Sequence, residues 1–256
     1  MIIDFILLFI AGLVGGVVNA IAGGGSFITF PALVFIGIPP LVANATNTFA
    51  SCAGYLSGVY AFRHELTPHK KALFGAVIAS VFGGAVGAFL LLRTPEASFE
   101  KAIPWLLLLA TLLFVFGAKA NRFLKQYAKN NSSLFRFKNA LLALLLFAIG
   151  IYGGFFNAGL GIVVLSYLTL CGYANINVMN GIKLVVSSAV SLAAICLFIF
   201  NDSIAWLEGS VVLVGTVLGG YFSAHISMKL SQQYIRLFVV LMSSAITAYF
   251  FYINYA

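Results

Sequence analysis

Apolar runs recur from one end of this chain to the other, over 72–92, 102–118, 139–158, 178–200 and 207–224. Several reach or approach the ~20 residues that a helix needs to span about 30 Å of hydrocarbon. A soluble core has no use for so many. With 62% hydrophobic residues, 8% charged residues and a mean hydropathy of +1.08, the chain reads as an all-α, polytopic transmembrane protein. The first segment, "MIIDFILLFI", carries Asp4 but no Lys or Arg, so it reads as a retained helix rather than a cleaved signal peptide.

The charges give an orientation. Loop 63–71 holds Arg63, Lys70 and Lys71 against Glu65, loop 119–138 holds six basic residues and no acid, and segment 225–236 adds Lys229 and Arg236. Loop 93–101 is neutral, and 201–208 carries Asp202 and Glu208. Short loops rich in Lys and Arg stay cytoplasmic, so the three basic loops are inside and the other two outside. The net charge of +8 therefore needs no nucleic acid. An odd number of crossings must then lie between residues 138 and 201, namely 139–158, the short 160–172 and 178–200. The same count in the first half gives 2–22, the short 24–37 and 41–62. Each half adds two more, which makes five plus five with the N-terminus outside. Treating the short pieces as re-entrant gives four plus four, but that arrangement puts 225–236 outside, against its charge.

The halves also share a pattern. "GLVGGVVNAIAGGGSF" at 12–27 lines up with "GIYGGFFNAGLGIVVL" at 150–165; Gly15, Gly16, Asn19 and Ala20 match Gly153, Gly154, Asn157 and Ala158 at an offset of 138. Each match runs into a short apolar stretch, a turn at Gly37 or Gly172, and an Asn-rich segment. The expected organisation is a first repeat over 1–118, a basic cytoplasmic connecting loop over 119–138 and a second repeat over 139–256. Because five is odd, the repeats have inverted topology.

A segment of about 13 residues rises only ~20 Å as helix, too little to cross. Glycine permits a non-helical backbone there, and such backbone is tolerated at membrane depth only where protein or a wet cavity satisfies it. Paired breaks in two halves point to a transporter's binding site. The N–H groups around Gly24, Gly25 and Gly161 are candidate anion ligands; the competing role is close helix packing, as expected for Gly83, Gly84, Gly87, Gly215, Gly219 and Gly220. Asn19, Asn47, Asn157 and Asn180 either hydrogen-bond a polar solute or bond between helices. Lys183 is the one charge well inside an apolar helix, on the same face as Asn180 with Ser187 a turn further. Its ammonium either meets a bound anion or snorkels to the surface.

All six acids fall in loops or at helix ends, so no carboxylate serves a mid-membrane proton relay or a cation cage. No Walker loop, metal-ligand cluster or nucleophile–base pair is present, which argues against an enzyme and for no cofactor. Cys52, Cys171 and Cys196 read as small buried hydrophobes.

The stretch from Gly15 to Thr48, the "SGVYAFRHEL" of 57–66, and "GIYGGFFNAGLGIVVL" followed by "NVMNGIKLVVSS" resemble the signatures of the sulfite exporter TauE/SafE family over essentially the whole chain. The "NGIK" of 180–183 departs from the Ala-Thr-Asn of 45–47, so the halves need not bind alike. The resemblance implies a permease of the bacterial inner membrane for small sulfur-containing anions such as sulfite, sulfonates or sulfoacetate. The expected mechanism is alternating access where the breaks meet, with Gly24, Gly25 and Gly161 contacting the anion, the four asparagines orienting it and Lys183 compensating its charge. The alternatives are a passive anion channel, or a membrane assembly or sensory partner that transports nothing.

Overall fold

The computed structural model describes residues 2–129, 138–227 and 232–255. Ten helices carry the described chain: α1 (Ile2–Ile21), α2 (Ser26–Phe35), α3 (Pro40–Ala61), α4 (Lys70–Arg93), α5 (Glu96–Lys129), α6 (Lys138–Phe155), α7 (Leu160–Cys171), α8 (Ile176–Phe200), α9 (Trp206–Ser227) and α10 (Gln232–Tyr255). A short turn of helix, Arg63–Leu66, and a 3₁₀ turn, Thr67–His69, join α3 to α4. Among the described residues, four stretches are long and apolar enough to span a bilayer: Ile2–Ile21, Leu73–Arg93, Ile176–Phe200 and Leu237–Tyr255. The α2 and α7 helices, at 10 and 12 residues, are too short to do so as helix alone.

The helix ends follow local chemistry. Pro40 opens α3 at a position where its missing N–H costs no helical bond. Asn175 caps α8, its side chain accepting from the N–H of Asn177 at 2.9 Å and of Val178 at 3.4 Å. One boundary differs from the sequence reading. Residues 119–129 continue α5 as helix instead of belonging to a loop, which makes α5 34 residues, or about 51 Å, long. Lys, Arg, Gln and Ala are good helix formers, so a run of positive charge does not end the helix. The rest of that predicted loop, 130–137, lies outside the described residues.

Packing is reciprocal between α1–α5 and α6–α10. The α1 helix packs on α9 as α6 does on α4, and α3 packs on α9 as α8 does on α4. The α2 helix meets α10 as α7 meets α5, while α3–α8 and α5–α10 pair across the middle. Small residues let the backbones approach. A methyl added at Gly16 would lie 2.9 Å from Thr216 Cα on α9, and one at Gly150 would lie 3.0 Å from Gly83 Cα on α4. Hydroxyls stitch α3 to α9, with Thr216 Oγ1 donating to Ala50 O at 2.6 Å and Ser57 Oγ to Val217 O at 2.8 Å.

Buried aromatics fill one end of the core: Phe30 meets Phe156 edge-on at 5.6 Å and stacks on Phe250 at 5.8 Å. Exposed Phe74, Phe82, Leu144, Phe200 and Leu241 lie on the outer helix faces, as expected where lipid is the solvent. None of the three cysteines forms a disulfide. Cys52 is buried as expected, whereas Cys171 is half-buried and Cys196 is exposed on the outer face of α8.

Candidate functional site at the crossing of two helix breaks

Two interruptions in the helices meet in the interior. The first, 22–25, separates α1 from α2, and the second, 156–159, separates α6 from α7. Gly23 and Gly159 take positive φ, 82° and 79°, which only glycine adopts without strain. The breaks touch backbone to backbone: a methyl on Gly161 would lie 2.6 Å from Gly23 Cα, and one on Gly23 would lie 2.6 Å from the carbonyl carbon of Gly161. No side chain fits between them, so packing demands glycine here.

At the first break the chain folds back on itself. Asn19 Oδ1 accepts from Gly25 N–H at 2.8 Å, closing the loop that leads into α2. That bond uses the N–H that the sequence reading assigned to an anion. The other half of the Asn19 amide, Nδ2, is buried without a hydrogen-bond partner. No bond joins the N–H of Gly24 or of Gly161 to another described residue.

Lys183 points into the protein interior. Its side chain is 1% exposed, so it does not snorkel. Its Nζ donates to Asn19 O at 2.9 Å, Ala20 O at 2.8 Å and Asn180 Oδ1 at 3.1 Å. An ammonium has three donors, and all three are engaged. The two carbonyls belong to the last turn of α1, where the helix dipole is negative; among the described residues Ala20 O has no backbone donor, and Asn19 O also accepts from Gly23 N–H at 3.1 Å. Lys183 thus caps α1 from α8 and ties the two halves of the chain together. Among the residues whose side-chain burial is described, it is the only charged one that is buried.

The second break is held differently. Asn157 Oδ1 accepts from Tyr55 Oη at 2.7 Å and from Ser26 Oγ at 3.5 Å, while its Nδ2 donates to Ser191 Oγ at 3.0 Å. The end of α6 is capped by a neutral group, with Asn44 Nδ2 donating to Phe155 O at 3.1 Å. Tyr152 Oη adds a bond to Ala158 O at 2.7 Å.

Asn47 lies beside the first break. Its Oδ1 accepts from Thr29 Oγ1 at 2.5 Å and from Ser51 Oγ at 3.3 Å, and Thr29 also bonds to Gly25 O at 3.3 Å. Asn47 Nδ2 and the Ser187 hydroxyl, one turn beyond Lys183, are buried without partners. Asn19 and Asn47 are therefore joined through Gly25 and Thr29, Ser187 stands one turn from Lys183 on α8, and each of the three keeps an unused polar group. All eight residues singled out from sequence fall in this region. Five hydroxyl residues that sequence reasoning missed, Ser26, Thr29, Ser51, Tyr55 and Ser191, complete the network. The signal was present as a polar stripe at i, i+4, i+8: Asn47, Ser51, Tyr55 on α3 and Lys183, Ser187, Ser191 on α8.

Neutral amide and hydroxyl donors beside a fixed ammonium suit a polar anion and offer nothing to a metal. No group of three or more His, Cys, Asp or Glu able to hold a metal occurs among the described residues.

Comparison with known proteins agrees on the class. The family described as sulfite exporter TauE/SafE matches residues 8–250. A probable membrane transporter protein of Haemophilus influenzae is 32% identical over 244 residues, covering 94% of this chain and 92% of its own. The probable membrane transporter protein YfcA of Escherichia coli K12 is 28% identical over 249 residues, covering 96% and 89%. A third relative, the probable membrane transporter protein ORF9 of a Sinorhizobium species, is 28% identical over 241 residues, 93% of this chain and 89% of its own. No solved structure matches the chain. The family match runs from α1 to α10, and the relatives are covered almost end to end. This chain, a multi-pass transporter of the bacterial inner membrane and not an enzyme, belongs to the sulfite exporter TauE/SafE family.

Proposed function

We propose that the chain carries a small sulfur-containing anion, sulfite or a sulfonate, by alternating access about the crossing of the two breaks. One observation carries this reading: Asn19 Nδ2, Asn47 Nδ2 and Ser187 Oγ, with Asn44 Oδ1 and Ser188 Oγ nearby in sequence, are buried without partners on the helices that carry or bond the buried Lys183 and its neighbours. A buried donor left unpaired costs about 1–3 kcal/mol, and an anion reaching the crossing offsets that cost with charge-assisted hydrogen bonds. The unbonded N–H groups of Gly24 and Gly161, at the starts of α2 and α7, add positive helix ends to the same place.

Two lines support the carrier mechanism. The matched breaks at an offset of 138 and the reciprocal packing of α1–α5 with α6–α10 are what an inverted repeat produces. The glycine contact between Gly23 and Gly161 gives two rigid bodies a narrow fulcrum. On this reading Asn19, Asn47 and Ser187 touch the anion, while Asn157, Asn180 and Lys183 hold the breaks in register. Uptake of radiolabelled sulfite and alkanesulfonates into proteoliposomes tests the proposal. Saturable uptake stimulated by counterflow is expected. Flux that neither saturates nor shows counterflow would identify a passive channel, and no flux of any sulfur anion through folded protein would refute the reading.

A further inference from the structure

We infer that a second site, at the membrane surface, holds the headgroup of an aminophospholipid with its primary ammonium against Glu100. A cavity of about 300 Å³ lies where α2 and α10 end and α3 and α5 begin. None of the residues assigned to the crossing lines it, so the inference is independent of the anion-carrier reading. Its depth follows from the helix ends. The α10 helix contributes residues 249–254, which close the membrane span Leu237–Tyr255. Tyr255 Oη accepts from Trp105 Nε1 at 3.0 Å and donates to Lys101 O at 3.0 Å, tying the end of α10 to the start of α5. Trp105 and Tyr255 are both exposed, and such residues gather at the level of lipid headgroups. Phe35 and Ile253, which line the cavity, are exposed on the outer surface as well.

The chemistry is that of a cation site. Glu100 is half-buried, and no described residue bonds to or pairs with its carboxylate. Glu96, one turn earlier, is exposed and adds negative charge. Asn254 Nδ2 donates to Phe250 O at 2.9 Å, which leaves the amide oxygen as an acceptor. Tyr249 meets Phe35 edge-on at 5.0 Å and Phe250 edge-on at 5.8 Å, and ring faces of this kind attract cations. Helix ends of both signs meet at the cavity, so the side chains set its preference. A carboxylate, an amide oxygen and π faces all accept, and a primary ammonium brings three donors. One carboxylate among aromatic rings offers too few oxygens for a divalent metal ion. The headgroup fits beyond its ammonium. Lys101 is exposed beside Glu100 and, as the next residue, faces another way, so it is placed to meet the lipid phosphate.

The test uses the full chain in detergent. Dihexanoylphosphatidylethanolamine and its choline counterpart, which differ only in the N-methyl groups, are titrated while the melting temperature is followed. The ethanolamine lipid is expected to give a saturable rise at a concentration about tenfold lower, because methylation keeps the charge but removes the N–H donors. Coincident curves for the native protein would overturn the inference, and so would the absence of a saturable rise with the ethanolamine lipid. In Glu100→Gln, whose native carboxylate holds no described residue, the two curves are expected to converge; a difference that persisted would contradict the role of Glu100. Ethanolamine alone is the third probe. An equal rise with ethanolamine at the same concentrations would overturn the lipid assignment in favour of a soluble amine.

Discussion

The two breaks occupy equivalent places in the fold but are held together by different chemistry. At the first, Asn19 bonds to Gly25 of its own loop, and half of its amide stays unused. At the second, Asn157 reaches to α2, α3 and α8, and every part of its amide is engaged. The end of α1 is capped by an ammonium, and that of α6 by a carboxamide. The departure of "NGIK" from "ATN" is visible here as a structural asymmetry. On the proposed reading, the second break is the scaffold and the first is the binding surface.

Several substitutions sharpen or break that contrast. The largest effects are expected where both breaks are alike, at the contact between backbones. A methyl at Gly25 would meet Gly15 O and lie 2.6 Å from Asn19 Cγ, and one at Gly161 would lie 2.6 Å from Gly23 Cα. Gly25→Ala and Gly161→Ala should each cost more than about 4 kcal/mol, abolishing the monodisperse peak in size-exclusion chromatography. Next comes Lys183→Met, which leaves Ala20 O and Asn180 Oδ1 without a donor and Asn19 O with only the Gly23 N–H. At about 1–3 kcal/mol for each buried unpaired group, several kcal/mol of stability should be lost, and anion uptake should fall while membrane insertion persists. Asn44→Leu uncaps one carbonyl of α6 and should cost only ~1–2 kcal/mol, visible as a smaller drop in melting temperature. Equal losses for the two would mean that the two caps are equivalent.

Asn157→Ala strips the partner from Tyr55 and Ser191 and should destabilise by roughly 2–3 kcal/mol with little change in half-saturation. Tyr55→Phe removes one of those bonds and should cost about 1 kcal/mol, again without affecting affinity. A large affinity change in either would move the binding surface to the second break.

Much of the fold could be read from the sequence because the bilayer allows few solutions. Backbone groups at membrane depth must bond within a helix, so apolar length and Gly or Pro punctuation bound each element closely. The runs 2–22, 24–37 and 41–62 correspond to Ile2–Ile21, Ser26–Phe35 and Pro40–Ala61. That constraint ends at the membrane surface, which is why the helical course of 119–129 could not be read from its charges. At the site, Asn19, Asn157 and Lys183 stood out because a polar group in an apolar run is costly. Their partners did not. Lys183 bonds to backbone carbonyls, which every residue carries, and Asn157 bonds to hydroxyls on helices whose packing no local pattern specifies.

The most direct test of the central claim is the half-saturation concentration for sulfur-anion counterflow in Asn19→Ala against the native protein, with melting temperature measured on the same samples. Only the bond to Gly25 N–H is lost to the fold, so stability should fall by about 1 kcal/mol. Half-saturation should rise about 10- to 100-fold, the value of one hydrogen bond to a charged group. A half-saturation equal to the native value in folded Asn19→Ala would contradict the account, because the unpaired amide at the first break would then have no ligand to bind.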